Sequence, residues 1–428
     1  MQKNHRIIQN AWCWYDWANS VYALTITTAI FPLYYSQVTP EIVSFFGWQV
    51  KSSALYSYAI SFSFLIAAIL SPALSGIADY SGRKKFFMQL FTTIGATSCM
   101  ALFFFQGNVE YGIFFITLAS VGFTGAIVFY NAFLPEIATP DLYDRLSAKG
   151  YAMGYAGSVI LLILNILSIL KHEWFGFENQ DVATRASFVM VGIWWIGFAQ
   201  IPFFYLKDNP TNNVLKGKII RKGFSELKKV ARQLRFLPNT QRYLWAFFFY
   251  SMGVQTVMYL ASLFGERVIG MESAQLIVTI LVVQILGIIG AIFFAHISEK
   301  SSNKTALLIM LAIWIAVCIS AFFTKNSYQF MGLAGLVGLV MGGIQSLSRS
   351  TYSKLIPKNT KDHASFFSFY DVTEKIAVVL GTASYGLIDH LTGNMRNSAL
   401  ALSTFFIIGM IILWKTPLRV SSYKIRKY

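Results

Sequence analysis

Gly76-Ile-Ala-Asp79-Tyr-Ser-Gly82-Arg83-Lys84-Lys85 lies between two apolar runs, near 52–73 and 86–105. Each run matches the roughly 20 apolar residues that a helix needs to cross a bilayer. The decapeptide is polar, turn-forming and basic, so it reads as a short loop between two membrane helices. Asp79 falls just beyond the first helix, and Gly82 permits a tight turn or a close helix approach. A carboxylate so placed can meet the positive end of a neighbouring helix, or a basic side chain, and let go when helices move. The basic cluster Arg83, Lys84 and Lys85 has a simpler competing role, which is to anchor a cytoplasmic loop.

The pattern extends along all 428 residues. Twelve apolar runs stand near 11–35, 52–73, 86–105, 110–131, 149–170, 186–205, 242–264, 274–297, 305–323, 328–348, 364–388 and 398–414. The chain is 55% hydrophobic and 13% charged, with mean hydropathy +0.54. A soluble fold carries about a quarter of its residues as charges, so an all-α integral membrane protein is expected, with twelve transmembrane helices. Barrel strands alternate over about ten residues, whereas these runs are continuous. The first run holds Trp12, Trp14, Tyr15, Asp16 and Trp17 and no sensible cleavage site. It reads as a retained helix with interfacial aromatics rather than a signal peptide.

Charge placement orients the helices. With both termini cytoplasmic, 28 of the 35 Lys and Arg residues fall in inner segments. Six fall outside (Lys51, Lys171, Arg185, Arg267, Lys325 and Arg396), and Lys375 lies within a helix. That asymmetry follows the positive-inside rule and an even number of spans. The net charge of +16 therefore points to anionic lipid, not nucleic acid, and the tail Lys415, Arg419, Lys424, Arg426 and Lys427 faces the inner leaflet. Cys13, Cys99 and Cys318 all sit in helices without metal-ligand spacing. There is no phosphate-binding loop, dinucleotide fingerprint, paired-histidine metal site or nucleophile elbow. An enzyme is not expected, nor a cofactor or metal, and any uphill transport must draw on an ion or solute gradient.

Residues 207–241 form the longest polar segment, with Ile219, Phe224, Leu227, Val230 and Leu234 spaced among Lys and Arg as in a helix lying on a membrane surface. It divides the chain into an N-terminal six-helix bundle, 1–206, and a C-terminal one, 242–428. Weak internal repeats support the division. Gly76–Lys85 has a degraded counterpart in Ala295-His-Ile-Ser-Glu299-Lys300-Ser-Ser-Asn303-Lys304, and the exits Tyr130-Asn131-Ala-Phe-Leu134-Pro135-Glu136 and Ser348–Pro357 correspond. Two repeated halves around a midplane cavity form a transporter architecture. No filter loop or shared polar ring suggests a channel.

Polar residues inside the runs are the site candidates, because a charge in a membrane helix needs water, a partner or the protein interior. Asp16, followed by Asn19 and Ser20, suits proton carriage, cation or amine binding, or helix pairing; ten residues after Arg6, it also suits a hydrated interface. Asp371 and Lys375 stand four apart and can pair along one face. That leaves Glu374 as the less compensated carboxylate and the first proton-carrier candidate, against a purely structural ion-pair network. Arg349, after Gly343 and Gln345, can gather an anion, close a gate against a carboxylate, or merely snorkel at a helix end. Tyr130 and Asn131 hold the comparable place in the fourth run, and Tyr15, Tyr22, Gln255 and Tyr259 are further cavity-wall candidates. Pro32 and Pro72 read as helix ends or kinks.

These residues carry a resemblance. Gly76, Asp79, Gly82, Arg83 and Lys84 are similar to the signature loop of the major facilitator superfamily, G-x-x-x-D-x-x-G-R-K/R. Asp79 comes one place early, with Tyr80 where the acid is usually counted. The resemblance implies that this loop controls closure of the two halves on the cytoplasmic side. Five further segments resemble the Atg22-like (UMF1) family of permeases: Trp14-Tyr15-Asp16-Trp17-Ala18-Asn19-Ser20 with Phe31-Pro32, Asn131–Glu136, Gly150-Tyr-Ala-Met-Gly154-Tyr155-Ala-Gly157, Gly342-Gly-Ile-Gln345-Ser-Leu-Ser-Arg349-Ser, and Phe366–Lys375. The resemblance implies a major-facilitator-type fold, with twelve transmembrane helices in two six-helix halves. Fungal vacuolar members are associated with amino-acid efflux, which makes an amino acid or related metabolite the expected cargo. The compact linker looks bacterial, so a monomer in the bacterial inner membrane is expected, working by alternating access with protons as the candidate coupling ion. Two rival expectations are an exporter or importer of an amphipathic drug, siderophore or metal chelate, and a non-transporting sensor or scaffold.

Overall fold

The computed structural model describes residues 2–210 and 219–418. Residues 211–218 of the linker lie outside the described residues, as do Arg419, Lys424, Arg426 and Lys427 of the tail. The architecture is an all-α, multi-pass membrane fold. Lipid offers no partner to backbone amides, so each apolar run satisfies its own as helix. The long elements are α1 (Arg6–Val21), α2 (Phe31–Val38), α3 (Ser52–Ser81), α4 (Lys84–Ala101), α5 (Val109–Ile137), α6 (Tyr143–Leu170), α7 (Gln180–Tyr205), α8 (Ile219–Arg235), α9 (Pro238–Phe264), α10 (Ser273–Lys300), α11 (Asn303–Phe323), α12 (Ser327–Leu355), α13 (His363–Thr392) and α14 (Met395–Lys415).

Among the described residues, ten helices are long and apolar enough to cross a membrane: α3 to α7, α9 to α12, and α14. Two expected spans fall outside that set for physical reasons. The first is broken into pieces: α1 gives way to a π-helical stretch, Tyr22–Ala29, and α2 resumes after it. The eleventh, α13, carries Asp371, Glu374, Lys375 and Asp389 along its length. Pro32 does not close the first run but opens α2, in the first turn where its missing N–H costs nothing. Pro72 lies inside α3, which runs on to Ser81, so Asp79 sits in the last turn rather than beyond the helix.

The helix termini fall at two ends of the molecule. One end gathers the α3–α4, α5–α6, α11 and α13 junctions with the N-terminus, where the Asn4 side chain bonds Thr139, and the close of α14, where Lys304 Nζ donates to the Trp414 carbonyl at 2.5 Å. It is called the basic end below. At the far end, Asn108, Asn179 and Asn326 each accept a backbone N–H and cap α5, α7 and α12. A hairpin also stands there, β1 (Ile42–Phe45) with β2 (Trp48–Lys51), turned through Phe46 and Gly47, both with positive φ. Eight residues of strand between two apolar runs are too short to show a period in sequence.

Helices α1 and α3 to α7 pack among themselves, as do α9 to α14. Contacts of α6 with α10 and α12, and of α3 and α5 with α13, join the two sets. Helices α10 and α12 approach closely. A Cβ on Gly290 would stand 1.8 Å from the Leu339 carbonyl oxygen, and one on Gly342 2.0 Å from that of Gly287. Small residues let these backbones touch, as membrane helices require. The linker helix α8 buries Val230 and Leu234 and exposes Lys228 and Arg232, but Phe224, expected on its apolar face, is exposed; the helix packs on α3, α9 and α13. α9 begins at Pro238, inside the 207–241 segment.

The aromatics of the first run are not interfacial. Trp12 and Tyr15 are fully buried, and Trp14 and Trp17 stack on Phe198 and Trp194 of α7. α1 is surrounded by α6 and α7, so its aromatic rings find protein where lipid headgroups were expected.

Candidate functional site

A cavity of about 230 Å³ lies between the two sets of helices. Of the sequence candidates, Asp16 and Asn19 of α1, Tyr130 and Asn131 of α5, Gln255 and Tyr259 of α9, Gln345 and Arg349 of α12, and Glu374 and Lys375 of α13 all line it. Three do not. Tyr15 is buried in the first set, its hydroxyl 2.6 Å from Thr92 Oγ1. Tyr22 is buried in the first set, its hydroxyl 2.6 Å from Ser120 Oγ and its ring beside Phe123 and Trp195. Asp371 lies behind the wall, 3.5 Å from Ser71 Oγ of α3 and 2.6 Å from Lys375 Nζ. Helical spacing brought Asp371 and Lys375 together as expected. Glu374 turns instead toward α9 and accepts from Gln255 Nε2 at 2.8 Å. Across the cavity, the Tyr155 hydroxyl of α6 donates to Gln345 Oε1 at 2.5 Å, and Gln345 Nε2 reaches Met258 Sδ.

At the basic end of the cavity Arg349 is buried among side chains of the first set. Its Nη2 lies 3.1 Å from Asp16 Oδ2 and 2.9 Å from the Ser147 carbonyl; its Nε donates to Ser147 Oγ at 2.8 Å. Nη1 stands 3.4 Å from Asn131 Oδ1. The Tyr130 hydroxyl donates to the same Asp16 oxygen at 2.6 Å. The guanidinium carbon lies 4.3, 4.7 and 5.4 Å from the ring centroids of Tyr151, Trp12 and Tyr130. Asp16 is thus a buried partner, not a hydrated interface residue. Burying both charges is tolerable because each is paired and further hydrogen-bonded; removing one partner of such a pair costs about 3–5 kcal/mol.

Ser147 and Tyr151 were not singled out in the sequence, and Trp12 was read only as an interfacial aromatic. Ser147 and Tyr151 are four apart on α6 and share a face, a signal visible only once that face is known to meet Arg349. Trp12 was hidden among the neighbouring tryptophans of its run.

Three further polar contacts bridge the sets, beside Arg349 and on toward the basic end. Asp79 accepts the backbone N–H groups of Ala364 (3.1 Å) and Ser365 (2.7 Å), in the first turn of α13. A helix N-terminus offers unpaired donors and a positive dipole, so it holds a carboxylate well. Lys84 stands 3.4 Å from Asp79 and also bonds Glu136 at the close of α5. Gly82 caps α3 with φ +69°, and a Cβ there would strike the Asn209 carbonyl. The segment after α7 is stapled to this loop: Asn209 N–H donates to Gly82 O at 3.0 Å, and Asp208 Oδ1 accepts from the Lys85 N–H at 2.6 Å. Partial burial holds the Asp208 carboxyl above the usual range. Arg83 is exposed, and Gly76 is buried in α3.

The degraded counterpart loop makes the second contact. Asp144, in the first turn of α6, accepts from Ser298 Oγ (3.0 Å), Asn303 Nδ2 (2.7 Å) and Lys354 Nζ (2.6 Å). Lys354 and Asn303 lay in segments already read as repeats, whereas Asp144 had no neighbour in sequence to mark it. A third contact joins Ser147 Oγ to the Ser346 carbonyl at 2.7 Å. Among the described residues no cluster of His, Cys, Asp and Glu is arranged to hold a metal ion.

A family model described as vacuole effluxer Atg22-like matches residues 4–423. The chain is 33% identical over 433 residues to the MFS-type transporter YxiO of Bacillus subtilis (strain 168), covering 99% of this chain and 97% of that one. It is 24% identical over 402 residues to autophagy-related protein 22 of Kluyveromyces lactis, covering 85% and 79%. Among solved structures it is similar to the proton:xylose symporter XylE (TM-score 0.70, 14% identity, 97% and 96% covered). It is similar also to the major facilitator transporter FucP in its outward conformation (TM-score 0.68, 13% identity, 96% and 98% covered).

Proposed function

The chain belongs to the Atg22-like family of major facilitator-type transporters, and on that premise we propose that it exports an amino acid or related small metabolite across the bacterial cytoplasmic membrane. As a member of that superfamily it is a secondary active transporter with an alternating-access fold, not an enzyme. In the proposed arrangement the broken first run and the charged α13 join the ten apolar helices as spans, giving twelve in two halves, 1–206 and 242–428. The basic end faces the cytoplasm with both termini, as the distribution of Lys and Arg favours.

The observation that carries this reading is the cavity itself. It is lined by acids, bases and amides from both halves, and it is sealed toward the basic end by polar contacts between them. Such contacts can break and reform, whereas a continuous apolar seam would hold the halves shut. Asp79 with Gly76, Gly82, Arg83 and Lys84 then serves as a latch on the cytoplasmic side. Glu374 is the proposed proton carrier, because it lines the cavity and its hydrogen-bond partner is the neutral Gln255. The test is flux into proteoliposomes against a metabolite panel, with and without a pH gradient. Saturable flux for a zwitterionic metabolite is expected; its absence for every solute, with folded protein confirmed, overturns the reading.

One observation favours the second reading, an amphipathic cargo. A strongly apolar chamber of about 170 Å³ adjoins the central cavity, the two sharing Thr28, Met258, Gln284 and Met341 in their walls. Preferential flux of amphipathic dyes or chelates over metabolites in the same assay would select it.

A further inference from the structure

The surroundings of Arg349 are unusual in where they come from. Trp12 and Asp16 belong to α1, Tyr130 and Asn131 to α5, and Ser147 and Tyr151 to α6; the guanidinium alone comes from α12. Three aromatic rings within 4.3 to 5.4 Å of a cation, with a carboxylate oxygen at 3.1 Å, form a cation box. Aromatic faces attract a cation through their quadrupole, and cages of this composition are how proteins recognise ammonium ligands. The space for the cation is itself built in. A Cβ on Gly150 would stand 2.3 Å from Asp16 Oδ2, 3.0 Å from Arg349 Nη2 and 3.2 Å from the Tyr130 hydroxyl. The box also opens on the cavity, since Asp16, Tyr130, Tyr151 and Arg349 line both.

We propose that this box is the binding site for the ammonium group of the transported molecule, and that Arg349 is a tethered occupant filling it whenever the basic end is closed. The proposal rests on the alternating-access reading above. When the halves part at the basic end, α12 carries Arg349 away and leaves Asp16 facing three rings with no cation. An ammonium compound entering from that side replaces it charge for charge. When the halves close, Arg349 returns and displaces the ligand into the cavity, where Glu374 and the Gln255 carbonyl stand next in line. The exchange never leaves Asp16 both buried and unpaired, which would be the costly state. The ligand class is an organic cation or a zwitterion with an ammonium head; a carboxylic acid or a neutral sugar has nothing to offer this box.

The test is binding of radiolabelled tetramethylammonium to purified protein in detergent, which requires no transport. Arg349→Ala should bind it at least about tenfold more tightly than the wild type, whose box is occupied. Adding Tyr151→Ala to that variant should weaken binding by about tenfold, in line with loss of one ring. If Arg349→Ala does not fold with Asp16 left unpaired, the Asp16→Asn/Arg349→Ala pair keeps the rings without the orphan charge, and its thermal stabilisation by tetramethylammonium should vanish with Tyr151→Ala. Folded protein that binds no better without Arg349, or whose binding ignores Tyr151, overturns the proposal. Competition by methylammonium and by glycine separates a free-amine ligand from a zwitterion. Failed flux combined with binding in Arg349→Ala would remove the transport reading and leave the box standing.

Discussion

Replacing Asp79 with Asn tests the latch with little change of shape. The carboxylate accepts two backbone N–H groups from the first turn of α13, at 3.1 and 2.7 Å, and stands 3.4 Å from Lys84. Asparagine keeps one acceptor oxygen and turns an NH2 toward the second N–H. One charge-assisted bond is lost, worth about 1.5–3 kcal/mol. The favourable meeting of an anion with a helix N-terminus goes too, about 0.3–1 kcal/mol more. Lys84 retains Glu136, which offsets part of the change. A net shift of about 2 kcal/mol toward the state open at the basic end follows, or roughly 30-fold. A closed-to-open ratio of roughly 100 would fall to roughly 3, a population readily seen. The assay is pulsed electron–electron resonance between spin labels at Arg145 and Lys300, both exposed at the basic end, one in each set of helices. The native Cys13, Cys99 and Cys318 are buried and should not compete for label. Distance distributions identical in wild type and Asp79→Asn, under conditions where both states are populated, would refute the latch.

Asp144→Asn should act in the same direction, since it removes the charge that Ser298, Asn303 and Lys354 all approach; the same label pair should report an opening of about 1–3 kcal/mol, and no shift would leave Asp144 a purely local contact. Gly82→Ala forces a side chain into a left-handed backbone position and against the Asn209 carbonyl, so it should cost about 1–3 kcal/mol in thermal unfolding, and an unchanged melting curve would contradict the described turn. Glu374→Gln keeps the size of the side chain and removes its titration. Counterflow should persist while uphill flux driven by a pH gradient falls by roughly tenfold or more, and equal uphill flux would exclude Glu374 as the proton carrier. Gly342→Val should separate α10 from α12, whose backbones meet there, with a loss of about 1–3 kcal/mol in stability; wild-type stability would contradict that contact.

How far these contacts were legible follows from their range along the chain. The ten apolar spans were readable because lipid imposes one rule on every residue of a run. The Asp371–Lys375 pair was readable because the helix itself supplies the four-residue spacing. Asp16 and Arg349 lie 333 positions apart, and nothing local in either says they meet. Each was marked only by the cost of a charge in an apolar helix, which shows that a partner exists and not which one. The aromatics of the first run misled for a related reason. A tryptophan at a membrane interface and one packed on a neighbouring helix have the same neighbours in sequence, and only the position of α7 tells them apart. The break in the first span was also hidden, because Tyr22–Ala29 is as apolar as a regular helix and its wide turn shows only in the backbone.

The placement of charge across the closed end gives the degraded second loop a meaning that its sequence lacked. In the first contact the acid stands on the loop side, as Asp79, and its receptor is the start of α13 in the other set of helices. In the corresponding contact the loop side offers only Ser298 and Asn303, neutral donors, and the acid has moved across the interface to Asp144 at the start of α6. Lys354 then stands to Asp144 as a positive partner at the close of α12, where Glu136 closes α5 with the opposite sign. So Asp16, Asp79 and Asp144 all belong to 1–206, and their partners Arg349, the α13 N-terminus and Lys354 all belong to 242–428. Each of these three contacts sets a carboxylate of one helix set against a positive group of the other, although both sets carry charges of both signs nearby, Lys84 beside Asp79 and Asp362 at the start of α13. Asp16, Asp79, Asp144 and Arg349 are all buried in these contacts, so salt screens the attraction far less than it would between exposed charges. The second loop has therefore not simply lost a signature; its Ser298 and Asn303 receive the acid that the start of α6 supplies.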